Sequence, residues 1–135
     1  MMPLLFLAAA SADLDALDQA VARCDRTSVN PMFAGEAARR SQFLLDAYRE
    51  QAAIVADRLS LSDQRRALRE AADLKAAERK DSEKQLDLLQ AALDDRQKAL
   101  NDQRMLEGIR EDAMDSMRHY LLLNCPAGSG HDKAR

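Results

Sequence analysis

Between Pro31 and Pro126 the sequence has no proline, and its only glycines there are Gly35 and Gly108. A proline inside a helix removes a backbone donor and clashes with the carbonyl one turn back. A glycine weakens a helix by about 1 kcal/mol relative to alanine. Nothing in this long stretch therefore forces the chain out of helical geometry. Its residues agree, because Ala, Leu, Glu, Asp, Gln, Lys and Arg dominate, with 32% of the chain charged and only 4% aromatic. That composition suits long exposed helices joined along a thin Leu/Ala seam, not a globule filled by large rings. The expected fold is all-α: an elongated antiparallel helical hairpin, coiled-coil-like, with a short N-terminal helix over its open end.

Local signals divide the chain further. In the stretch Asp13 to Cys24, the residues Leu14, Leu17, Ala20, Val21 and Cys24 recur at spacings of three and four, which gives a short amphipathic helix. Asp25 to Asn30 reads as its break. Asn30 then caps the first arm, and Pro31 takes the first helical position. Leu44, Tyr48, Ala52, Val55 and Leu59 form the apolar stripe of that arm, broadened by Phe43, Leu45 and Ile54. Ser60 and Asp63 resemble a capping box and mark an interruption. Lys75 to Lys84 is the most polar segment, and Ser82 with Gln85 resembles a second capping box. The expected reversal is near Lys80–Ser82, the alternative being one helix running on through this patch. Leu86, Leu89, Leu93 and Leu100, then Ile109, Ala113, Met117 and Leu121, carry the second arm until Pro126 ends it. A reversal at Ser82 brings Leu93 near Ala71, Ile109 near Val55, Met117 near Ala47 and Leu121 near Phe43. The expected seam is then Leu44, Tyr48, Val55, Leu93, Leu100, Ile109 and Met117.

The first twelve residues, MMPLLFLAAASA, carry no charged side chain. An apolar run ending in Ala10-Ser11-Ala12 fits a secretory signal peptide cleaved after Ala12, although a basic residue ahead of the run is missing. The expected organisation is a signal peptide over 1–12, one helical domain over 13–125 and a flexible tail over 126–135. The alternative makes the N-terminus the first turn of a cytoplasmic helix. No other apolar stretch reaches the ~20 residues that cross a bilayer, so no stable membrane span is expected after cleavage. Export to a periplasmic or secreted location gives Cys24 and Cys125 a meaning, since two cysteines in an oxidising compartment allow a single intramolecular disulfide. Two free thiols or an intermolecular bond are the alternatives.

No residue pattern calls for catalysis, a cofactor or a metal. The net charge is −3, and Arg39-Arg40 and Arg65-Arg66 have acidic neighbours within about a helical turn, so no basic face for nucleic acid is expected. Met114, Met117 and His119 suggest copper, but residues 117 and 119 lie about 200° apart on a helix. His131 stands alone near the C-terminus. Asp94-Asp95 and Glu111-Asp112 are adjacent and diverge, whereas glycosidic chemistry needs two carboxylates facing across a cleft. Phosphate loops, G-x-S-x-G elbows and C-x-x-C pairs are missing. Ala47-Tyr48-Arg49-Glu50 resembles the A-Y-R-D segment of a family of small exported, cysteine-stapled helical lysozyme inhibitors. Where that family has a cysteine three residues further on, this chain has Ala53, so the resemblance spans four residues and implies an exported protein at most. The expectation is a non-enzymatic binding or structural protein that presents a disulfide-clasped hairpin to an unknown protein partner or to itself as a homodimer. A periplasmic inhibitor or holdase, or a cytoplasmic coiled-coil adaptor, is the alternative. The polar segment Lys75–Lys84 and exposed aromatics are the expected contacts.

Overall fold

A computed structural model describes residues 14–125, and the regular elements among them are all α-helical. They are α1 over residues 14–22, α2 over Arg26–Glu70 and α3 over Ala76–Asn124. The expected signal peptide and tail lie outside the described residues. The described residues divide into two compact units. One takes residues up to Ser41 and from Gly108 onward; the other is Gln42–Glu107.

In the first unit, α1 ends in a compact stop. Cys24 adopts a left-handed backbone, φ 55°. The amide of Asp25 donates to the Ala20 carbonyl and that of Cys24 to the Val21 carbonyl, each at 3.0 Å. This pair of bonds is the Schellman arrangement, which satisfies carbonyls that the helix end leaves open. Asp25 at once caps the next helix. Its carboxylate accepts from the Ser28 amide at 3.3 Å and from the Ser28 hydroxyl at 2.7 Å. The expected break over Asp25–Asn30 is therefore corrected: α2 starts at Arg26, and Asn30 and Pro31 lie inside it. With Asp25 as the cap, Pro31 removes only one backbone donor early in a long helix.

The core of this unit joins all three helices. Leu17, Ala20 and Val21 of α1 meet Val29 of α2, and Met114 and Leu121 of α3 together with Cys125 complete the cluster. Leu14, Met32, Phe33 and Met117 pack around it. Arg118 lies over the Phe33 ring at 5.0 Å from its centre, a cation–π contact of roughly 0.5–1 kcal/mol at an exposed site.

The second unit is an antiparallel helical hairpin. Its reversal spans residues 71–75, earlier than the expected Lys80–Ser82. Arg79 explains the position. From the first turn of α3 its guanidinium donates to the carbonyls of Leu68, at 2.6 Å, and Ala71, so the end of α2 is satisfied by a side chain eight or more residues away. The expected cap at Ser82 is not used, because α3 is already formed there, and α2 runs without interruption through Ser60.

Moving the turn changes every pairing. The buried thread of α2 is Ala47, Ile54 and Leu61, continued by half-buried Leu68, at strict seven-residue spacing; Leu86, Leu93 and Leu100 answer it on α3 at the same spacing. Polar pairs alternate with these apolar layers. Gln51 and Gln97 exchange amide hydrogen bonds at 3.0 Å, Arg58 meets Asp94 at 2.9 Å, and Arg65 reaches Asp87 at 3.1 Å and Gln90 at 2.8 Å. Arg96 spans Glu50 and Asp57, each at 2.8 Å, and these bonds raise its pKa. A seven-residue thread keeps one seam facing the partner helix.

Of the expected seam, Leu93 and Leu100 are buried and Met117 is half-buried, but Leu44, Tyr48, Val55 and Ile109 are exposed. Leu93 packs with Leu61 rather than Ala71, Ala47 joins Ile54 and Leu100, and Met117 and Leu121 belong to the cluster around α1. The physical reason lies in the neighbours. On α2, Gln51, Arg58 and Arg65 flank the thread that is buried and find partners on α3, whereas the stripe through Tyr48 has no such match.

Candidate functional site

Cys24 and Cys125, 101 positions apart in sequence, are joined by a disulfide, with their Cα atoms 5.4 Å apart. Cys125 is fully buried and Cys24 half-buried. The left-handed turn at the end of α1 aims Cys24 at the last residue of the second arm. Arg26, in the first turn of α2, donates to the Cys125 carbonyl. A cation at this place satisfies a helix end and favours its negative pole. Neither sulfur is available as a nucleophile while the bond stands.

One charged cluster is drawn into the same unit. Arg110 grips Glu36 through two nitrogens, one of them at 3.0 Å, and Arg39 adds bonds at 2.9 and 3.2 Å. Burial, the largest single influence, pushes Glu36 up. The hydrogen bonds and charges of Arg110 and Arg39 together outweigh it and hold the carboxyl at about 2. A carboxylate held so firmly ionised cannot serve as a proton donor near neutral pH. Arg40 and Glu111 form a further ion pair between α2 and α3. Asp25 is also lowered, chiefly by the Ser28 hydroxyl and then by the Ser28 amide.

The groups considered for metal do not converge. Met114 is buried in the core, Met117 is half-buried, and His119 is exposed. Among the described residues no three His, Cys, Asp or Glu side chains are placed to hold a metal ion. A shallow depression beside the turn has Arg65, Arg79 and Asp87 in its wall. Two of its arginines are already engaged, Arg65 by Asp87 and Gln90 and Arg79 by the Leu68 and Ala71 carbonyls, which leaves Arg69 and the carboxylate of Glu83 as its other charged groups and no convergent donor set. Among the described residues no helix is long and apolar enough to cross a membrane.

What remains open is a surface. Leu44, Tyr48, Val55 and Leu59 of α2 are exposed large apolar side chains which, with Ala52 between them, recur at spacings of three and four. In the segment resembling lysozyme inhibitors, Ala47 faces the seam and Tyr48 faces outward. The expected contact segment Lys75–Lys84 forms the end of the turn and the start of α3, not a tip of its own. Sequence reading found the cysteine pair; it missed Glu36 with Arg110, whose spacing in the chain gives no signal. It also placed Tyr48 and its stripe inside the seam.

The chain matches no family model, no curated protein and no solved structure in the comparisons made. The class it defines is thus one of form: an all-α chain whose helices pair antiparallel and whose two cysteines bond across them.

Proposed function

We propose that this is an exported, non-enzymatic helical binding or structural protein, which presents a disulfide-clasped hairpin to a protein partner or to itself. The observation that carries the reading is the exposed stripe through Leu44, Tyr48, Val55 and Leu59, on a helix whose opposite groups are engaged by α3. Large apolar side chains aligned on one face are what a protein partner would cover. The Cys24–Cys125 bond supports export, because such bonds persist in oxidising compartments. The signal-like start of the sequence, ending at Ala12, supports it as well.

Intact-mass analysis of the native product tests the export half. The expected species begins at Asp13 and is two hydrogens lighter than the reduced chain. A full-length cytoplasmic product with two free thiols would favour the adaptor reading. Affinity capture from the native cell envelope, with wild type and Tyr48→Lys in parallel, tests the binding half. A holdase would suppress aggregation of an unfolded client; a dedicated binding protein would not.

A further inference from the structure

We infer that the α2 stripe Leu44–Tyr48–Ala52–Val55–Leu59 is a homodimer interface, in which two copies of this chain cross antiparallel about a two-fold axis near Ala52. The inference rests on the binding role proposed above and names the partner as a second copy. The four large members are 52%, 71%, 48% and 64% exposed, and Leu45 beside them is 41% exposed. At 100° per residue these positions, with Ala52 and Ser62, share one arc of the helix, and no charged residue falls on that arc between Leu44 and Ser62.

The occupant follows from the order of the side chains. A two-fold interface must be complementary to itself, so its residues have to pair with one another when the direction is reversed. Read backwards, the stripe places Leu59 where Leu44 was and Val55 where Tyr48 was, with the axis falling between Gln51 and Ala52. Each large leucine then meets a leucine of the other copy, and each Tyr48 ring lies against a Val55, beside a small residue that lets the helices approach. A foreign partner would make no such demand on the order.

Area and charge agree. The exposed side chains offer on the order of 500 Å² per copy, so the pair buries about 1,000 Å², the size at which a specific interface becomes credible. Arg66 follows the stripe on the same arc, ion-paired at 3.0 Å with Asp63 at the arc's edge. A parallel pair would set Arg66 against Arg66; the antiparallel pair sends the two to opposite ends. The unit also gains from a second copy, because its own apolar layers alternate with polar ones and leave a thin core.

The test uses the full oxidised chain in sedimentation velocity over a wide concentration series. Wild type is expected to shift from monomer to dimer. Leu44→Lys and Leu59→Glu, each alone, are expected to raise the concentration of half-dimerisation by at least about tenfold, because an unpaired charge is buried twice per dimer. An equimolar mixture of the two is expected to recover the dimer, since only an antiparallel pair sets Lys against Glu at one end and Leu against Leu at the other. Circular dichroism checks that each variant keeps its helices, and Tyr48→Lys with Val55→Glu is a second matched pair should one unfold. Wild type that stays monomeric, variants that dimerise like wild type, or a mixture that fails to recover would each overturn the proposal. A monomeric chain that is exported and oxidised defeats the dimer and leaves the binding role standing. A reduced cytoplasmic chain that dimerises through this stripe defeats export instead.

Discussion

Arg110 of α3 closes on Glu36 of α2 with its side chain 9% exposed and that of Glu36 13% exposed. Two residues 74 positions apart thereby fix how the helices meet in the unit that also holds α1. A buried pair of this kind contributes little relative to a well-packed apolar pair, but removing one partner strands the other charge. Glu36→Gln is therefore expected to destabilise by on the order of 2–3 kcal/mol in chemical denaturation. Glu36→Leu combined with Arg110→Leu should recover most of that loss. If the double variant is no better than the single one, the arginine's role is not charge pairing.

Acid should reveal the same carboxylate. Glu36 ionises at about 2 in the folded chain against 4.5 ordinarily. A depressed folded pKa means that the unfolded chain takes up its proton first as pH falls. The stabilisation is thus complete above about 4.5 and is lost between there and about 2. Melting temperatures measured down that range should fall more steeply for wild type than for Glu36→Gln. Parallel curves would contradict the assignment.

The disulfide closes a loop of 101 positions. Constraining the unfolded chain over such a loop gives about 4–5 kcal/mol in the chain-entropy model. Cys24→Ser or Cys125→Ser should lower the denaturation midpoint accordingly. Hydrogen exchange should show α1 losing protection first, because its place rests on the cluster around Leu17 and Val21. Unchanged stability after reduction would remove the clasp from the account of the fold.

Neighbouring residues on α2 separate the buried thread from the open stripe. Ile54 is fully buried, and Val55 is about half exposed. Ile54→Ala should destabilise by about 2–4 kcal/mol through lost burial and a cavity, whereas Val55→Ala in the monomer should change stability by less than about 1 kcal/mol. A reversal of that order, read from denaturant midpoints, would restore the register with its turn at Ser82.

The turn itself can be tested at Arg79. Its bonds to the Leu68 and Ala71 carbonyls end α2. Arg79→Ala should cost about 1–3 kcal/mol and speed amide exchange near the end of α2, because carbonyls there lose a charged donor. Arg79→Lys should recover only part, since one ammonium cannot present the planar fork that spans two carbonyls.

The helical class was legible in the sequence because helix formation is local. Propensity, three- and four-residue spacing and freedom from proline and glycine all act within a few turns, and together they define long helices without any knowledge of partners. The cysteine pair was legible because only two cysteines are present. Where the chain turns was not, since no glycine or proline marks residues 71–75 and the group that closes them, Arg79, belongs to the next helix. Nor was the choice between two apolar stripes on α2. The one through Tyr48 is the more apolar along its length, and the one through Ile54 is flanked by Gln51, Arg58 and Arg65. Only tertiary structure decides between them: Gln97, Asp94 and Asp87 stand on the opposite helix in register with those three, and residues so far apart in sequence meet only once the chain has folded back.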